Sequence, residues 1–79
     1  MFHVIEKNKN VFGIYYQGKL IGAVMVKNWF NESDRFGFYD REKEYSHCKD
    51  YPLGILSEMS YENKHNFVLE EFKKEMLYK

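Results

Sequence analysis

Three residues with chemically useful side chains stand close together in the middle of the chain: His47, Cys48 and Asp50. A thiolate beside an imidazole can act as a nucleophile with its base, and the same residue types can bind a metal ion. Neighbours in sequence seldom point at a common atom, however, and a metal site requires further ligands at defined spacing. We therefore expect a solvated loop here, and we predict no catalytic residue, no metal and no cofactor.

His65 is a second candidate, because it falls near the middle of the apolar arc of a predicted helix. One interpretation makes it a ligand, an acid/base group or a pH switch. The other makes it a histidine at the edge of the core, with one ring nitrogen bonded to a backbone carbonyl. The second interpretation is favoured, because the sequence offers no partner for catalysis.

The C-terminal segment predicts an amphipathic helix of about four turns that begins after an N-cap at Ser60. Its apolar arc consists of Tyr61, His65, Val68, Leu69, Phe72 and Met76. Its charged side consists of Glu70, Glu71, Lys73, Lys74 and Glu75. Phe67 projects from that charged side, nearly opposite Phe72, and predicts either an interface anchor or packing beneath residues 40–50.

The chain is organised around a hairpin of two strands, Val11 to Tyr16 and Leu20 to Trp29, joined by a tight Gln17-Gly18 turn. Glycine supplies the positive φ that a two-residue hairpin turn demands. Neither strand has a clean polar face, which predicts that both faces of the hairpin are covered. The second cover would come from the loop segment or from another subunit. Gly13 and Gly22 mark bulges, or they leave room for a ring to lie across the sheet.

Further strands are predicted at Phe2 to Lys7 and at Arg35 to Tyr39. The polar segment 40–50 predicts a helical turn or a mobile loop. The fold class is therefore α+β, one domain over residues 1–79, with an antiparallel meander of three to four strands packed against the C-terminal amphipathic helix. The predicted core consists of Val4, Ile14, Ile21, Val24, Phe36, Leu53, Val68, Leu69, Phe72 and Met76.

The composition narrows the range of functions. Twelve basic residues balance twelve acidic ones, which argues against a general grip on nucleic-acid phosphates, although a local basic patch is compatible with this balance. Cys48 is the lone cysteine, and the first ten residues lack the pattern of a signal peptide, so we expect a cytoplasmic protein with no membrane contact. Richness in Lys, Asn, Tyr and Phe is typical of an AT-rich genome, such as that of a low-GC bacterium or its phages.

The fragment YYQGKLIGAVMV resembles the central hairpin of N-acetyltransferase domains, in which a similar Gly-Lys turn joins two sheet strands. The resemblance covers only this hairpin. The loop with which that family cradles the phosphates of coenzyme A is absent from the sequence. The resemblance implies a small enzyme or ligand-binding relic, with a deep pocket that has His47, Cys48 or His65 at its wall.

These observations lead to a prediction of a small protein that is not an enzyme and that acts by binding another protein, such as a phage or mobile-element inhibitor or adaptor. A homodimer is also expected. The predicted interface residues are Phe67, Tyr15, Tyr16, Phe38, Tyr39 and Tyr45. The alternatives are the acetyltransferase-like relic and a nucleic-acid-binding module, which would cluster Lys7, Lys9, Lys19 and Lys27 beside exposed tyrosines.

Overall fold

The computed structural model describes residues 1–78, which form five β-strands followed by one helix. The strands are β1 (Phe2–Asn8), β2 (Val11–Tyr16), β3 (Lys19–Trp29), β4 (Ser33–Asp40) and β5 (Tyr45–Pro52). Each strand pairs antiparallel with the next in the order β1-β2-β3-β4-β5. This meander under a C-terminal helix confirms the predicted α+β class, but the sheet has five strands rather than three to four.

The additional strand, β5, corrects the prediction of a helical turn or mobile loop at residues 40–50. The carboxylate of Asp40 accepts a hydrogen bond from the Lys43 amide at 3.1 Å, and Glu44 has φ 51°, so residues 41–44 form a tight turn. The strand that follows pairs along its whole length with β4. Its period of two is hidden in the sequence, because His47 and Lys49 occupy positions that face the helix.

The central hairpin has the predicted turn. Gln17 (φ 50°) and Gly18 (φ 79°) both adopt left-handed backbone, as a two-residue turn that matches strand twist requires. One β-bulge shifts the register of β3 against β2 after Ile14. Gly22 leaves room for a ring, since a Cβ there would lie 2.5 Å from Cζ of Phe72. The ring interpretation is therefore confirmed for Gly22.

Helix α1 spans Tyr61–Phe72 and begins at the predicted N-cap, where Oγ of Ser60 accepts a hydrogen bond from the Asn63 amide at 3.2 Å. It continues into a π-helical turn, Lys73–Leu77. The amide of Tyr78 closes this wider turn by donating to the Lys73 carbonyl at 2.9 Å.

The core lies between the sheet and α1. Its fully buried side chains are Phe12, Ile14, Val24, Phe36, Phe38, Val68 and Phe72, and Met76 is nearly so. Val4, Ile21 and Leu69 are partly buried against this cluster. Leu53 is 49% exposed, and its assignment to the core was wrong. Gly54 (φ 77°) turns the chain directly after Leu53, and Leu56 enters the core in its place.

Only one face of the sheet is covered within the described chain. The face turned away from α1, here called the outer face, leaves Met25 46% exposed and Tyr39 40% exposed. The loop segment therefore does not supply the second cover, because β5 extends the sheet sideways instead of folding across it; cover by another subunit stays a prediction.

Candidate functional site

The residues of the central Cys/His group do not converge. Strand alternation in β5 turns His47 toward α1 and sends Cys48 and Asp50 to the outer face. Nε2 of His47 lies 3.0 Å from Oε1 of Glu75, while the free thiol of Cys48 is exposed. Among the described residues no three of His, Cys, Asp or Glu come close enough to hold a metal ion.

The helix side of β5 carries a polar cluster that the sequence analysis missed. The hydroxyl of Tyr51 donates to Oε1 of Glu71 at 2.5 Å, and Nζ of Lys74 lies 2.9 Å from the other oxygen of Glu71. Nζ of Lys49 lies 3.3 Å from Oε2 of Glu75. These contacts tie the last turns of the helix to the edge strand. The i,i+4 spacing of Glu71 and Glu75 was the available signal, but both had been placed on the solvated side.

Burial and hydrogen bonding together set the pKa values of Tyr51 and Glu71. Desolvation, followed by the hydrogen bond to Glu71, raises the pKa of Tyr51. Desolvation also acts to raise the pKa of Glu71, but the hydrogen bonds from Tyr51 and Lys74 outweigh it, and the pKa of Glu71 is lowered. A tyrosine held neutral beside an ionised carboxylate makes a stable link between strand and helix.

His65 occupies the predicted core-edge position. Its Nδ1 donates to the Tyr61 carbonyl at 2.8 Å, as the favoured interpretation required. The ring lies 4.0 Å from the Tyr61 ring and edge-on to Phe12. Its Nε2 is buried and has no hydrogen-bond partner in the described chain.

Two of the predicted interface residues, Phe38 and Phe67, pack against other side chains of the same fold. Phe38 is fully buried, because it alternates onto the covered side of β4. Phe67 packs edge-on against Phe36 and Tyr51, with ring centroids 6.2 and 5.8 Å apart. It was expected on the charged side of the helix, but the helix is rotated so that Phe67 covers the β4–β5 side of the sheet. Its packing against β5 agrees with the alternative of burial beneath residues 40–50.

The four predicted interface tyrosines lie at three places. Tyr39 stands exposed on the outer face, and Tyr15 lies half-buried there beneath Lys7, whose Nζ is 4.9 Å from the ring centroid. Tyr16 and Tyr45 are exposed at strand ends on the side of α1. The structure therefore brings only Tyr15 and Tyr39 together on one surface.

The outer face contains two adjoining shallow depressions, each of about 350 Å³, over β3, β4 and β5. Both share Met25, Gly37 and Cys48 as lining residues. Gly37 forms the floor, with Met25 and Cys48 as its cross-strand neighbours on either side. Because Gly37 has no side chain, the two depressions form one shallow trough with a low floor, here called the trough.

One end of the trough is built from Trp29, Arg35 and Asp50. The guanidinium of Arg35 lies 3.7 Å from the centroid of the Trp29 ring. It also donates two hydrogen bonds to Asp50, at 2.7 and 3.1 Å. This bidentate contact holds the pKa of Asp50 below its usual range. The stacked and paired guanidinium is therefore fixed in position.

The hairpin tip beyond Trp29 presents an exposed ring. Phe30 is 76% exposed and has φ 53°, and Asn31 follows at φ 56°. A left-handed backbone is unusual for a bulky residue and costs about 1–2 kcal/mol. The Phe30 ring packs edge-on against Trp29 at 4.8 Å, which extends the aromatic surface past the end of the sheet.

No protein-family model, curated protein or solved structure matches this chain. Within the part of the chain that the structure describes, no helix has the length and apolar character needed to cross a membrane.

Proposed function

We propose that this protein acts by binding another protein through the outer face of its sheet. The observation that carries the proposal is the apolar trough over Gly37, which is uncovered and lined by Met25 and Cys48. Exposed aromatic side chains, Tyr39 and Trp29, stand at its two ends. Apolar and aromatic surface of this kind supplies most of the binding energy in protein interfaces.

Nucleic-acid binding is the second candidate, and the contact of Lys7 with Tyr15 on the outer face favours it. The aromatic rings of the outer face argue against this candidate, because a base needs a free ring face on which to stack and two of these rings already have a cation over them. Lys7 already lies over Tyr15, and Arg35 over Trp29. Tyr39 alone of these three rings has no cation over it among the described residues. Protein side chains are therefore the better occupants of the trough.

Three finer points belong to the same proposal. A cytoplasmic location is supported by the lone thiol of Cys48. The role of a phage or mobile-element inhibitor or adaptor is supported by small size and by composition. A homodimer would use the same outer face, since Phe67 is packed against Phe36 and Tyr51.

The experiment is affinity capture from cells that naturally produce the chain, with matched variants. Met25→Asp places a charge in the trough, and Asn66→Asp places the same charge on the exposed side of α1. Both sites are solvent-exposed, so both variants fold. We expect one protein to be retained in stoichiometric amounts by the wild type and by Asn66→Asp, and to be lost with Met25→Asp. Equal retention by the wild type and both variants contradicts the proposal.

Sedimentation of the same three proteins separates a foreign partner from a second copy. A wild-type dimer that Met25→Asp converts to a monomer identifies self-association as the use of this face. A wild-type monomer leaves the trough free for another protein.

A further inference from the structure

The two faces of the sheet differ in charge as well as in cover. The strands contain four acidic residues, Glu6, Asp34, Asp40 and Asp50. Three of them face α1 and are engaged there: Glu6 lies 3.1 Å from Lys64, Asp34 accepts from the Gly54 amide, and Asp40 accepts from the Lys43 amide. Asp50 is the one that alternates onto the outer face.

Three of the five basic residues of the strands lie on the opposite side, whereas Lys49 faces α1 and Lys19 pairs with Tyr16 on the α1 side. Lys7, Lys27 and Arg35 all lie on the outer face. Asp50 neutralises Arg35, and neither lysine has an ion pair with any described residue. The outer face therefore carries an uncompensated positive charge in a chain whose formal net charge is zero.

The shortage of negative charge is concentrated in one cross-strand row. Lys27, Arg35 and Asp50 are direct neighbours across β3, β4 and β5. Like charges placed directly opposite each other destabilise a sheet, and this row holds two cations for one carboxylate. Lys27 also lines the depression over Gly37. A carboxylate brought in from outside would complete the row at the rim of the trough.

We propose that the outer face binds an acidic segment of a partner protein, with an apolar side chain seated over Gly37 and an Asp or Glu side chain paired with Lys27. This inference rests on the proposed function and adds the chemistry of the partner. Charge complementarity of this kind selects the partner and fixes its register. Among the described residues the outer face has only two unpaired lysines, which is too little positive charge for a nucleic-acid backbone, since such a backbone is neutralised by many contacts.

The probe is a phage-displayed library of random dodecapeptides, selected on the immobilised protein at low ionic strength. We expect enriched sequences to combine an aliphatic or aromatic residue with a nearby Asp or Glu.

The most enriched peptide is then synthesised with a fluorescent label, and its affinity is measured by anisotropy. We expect Lys27→Gln to weaken binding about fivefold, the effect of losing one partly exposed ion pair. The matched control Lys43→Gln, in the β4–β5 turn, leaves it unchanged. Gly37→Leu fills the trough and abolishes binding.

The other outcomes are decisive too. One outcome is that the enriched peptides lack acidic residues, that Gly37→Leu abolishes their binding and that Lys27→Gln leaves it unchanged. This outcome overturns the inference but leaves the proposed function standing. No enrichment, or binding that ignores Gly37→Leu, overturns both. Labelled oligothymidylate is measured in parallel, and its binding, if Lys27→Gln weakens it, overturns both in favour of the nucleic-acid module.

Discussion

The two faces of this sheet are built from the same strands with the same alternation of side chains, yet only one of them is buried. The face under α1 is filled by large side chains such as Phe12, Phe36 and Phe38, all fully buried. The outer face places Gly37 and Ala23 between a few large exposed side chains. Alternation decides which residues share a face, but the supply of covering elements decides whether the face is buried. One helix in a short chain covers one face.

Polar groups show the same contrast. Beneath the helix, the Glu71 and Glu75 carboxylates are each engaged by more than one partner. On the outer face two lysines have no carboxylate among the described residues. The contrast is between carboxylates under the helix that are paired within the chain and outer-face lysines that have no such pair in the described residues.

The largest effect is expected from removing a ring beneath the helix. Phe36→Ala should cost about 3–5 kcal/mol in the free energy of unfolding, as much as the core of so small a domain supplies. The variant should therefore be largely unfolded by circular dichroism at room temperature. Its control, Met25→Ala on the outer face, should change stability by about 0.5 kcal/mol. Equal losses in urea unfolding would mean that the outer face is also structural.

A pair of glycines sharpens the comparison. Gly22→Ala places its Cβ against the Phe72 ring and the Tyr39 carbonyl, so it should cost about 1–3 kcal/mol. A Cβ at Gly37 would lie 3.9 Å from its nearest neighbours, Cys48 and Met25. Gly37→Ala should therefore gain about 0.5 kcal/mol by restricting the unfolded chain. Urea midpoints of the two variants should move in opposite directions.

Acid should weaken the covered side more than the outer face. The pKa of Glu71 is lowered in the folded chain, so its contribution to stability is present above its ordinary value of 4.5 and is lost as the pH falls below it. Glu71→Gln should therefore lower stability at neutral pH and flatten its decline in acid. Asp50→Asn removes the exposed pair with Arg35, where solvent screens the charges, and should have a smaller effect. Urea midpoints measured from neutral pH down to pH 3 compare the two.

A small gain in stability is expected at the hairpin tip. Phe30→Asn relieves a left-handed backbone and should stabilise the fold by about 1 kcal/mol. Phe30→Ala removes the ring and keeps the backbone penalty, so it should bring no such gain. Thermal melts of both variants test this. A loss of stability with Phe30→Asn would indicate that the ring packs more tightly than its exposure implies.

Much of the fold could be predicted from local signals. The Gln17-Gly18 turn, the β2 and β3 boundaries and the Ser60 cap depend on backbone chemistry within a few residues, so the sequence displays them directly. The strand β5 could not be recognised, because His47 and Lys49 occupy its covered positions. Both contact Glu75, which lies far along the chain. Long-range pairing of polar groups leaves no local pattern.

The candidate site was harder to predict, for a related reason. Phe67 and Phe38 are large apolar residues, and only the packed structure shows that Phe36 and helix α1 already cover them. The trough over Gly37 is formed by residues of β3, β4 and β5. Which small residues lie side by side there depends on the register of these strands, and the sequence alone does not give that register. Phe38 and Tyr39 were both predicted as interface residues, although neighbouring strand residues point to opposite faces, and only the packed structure shows that Tyr39 is the exposed one.

The order of the strands determines when the domain can become stable during synthesis. Each strand pairs with the one before it, so the sheet can form hairpin by hairpin as the chain leaves the ribosome, with little entropy spent on closing long loops. The covering side chains Val68, Phe72 and Met76 are translated after all five strands. Until they emerge, the nascent sheet exposes Phe12, Phe36 and Phe38 to water. The meander therefore shortens the search for strand partners and leaves aggregation-prone surface exposed until residues 68–76 are made.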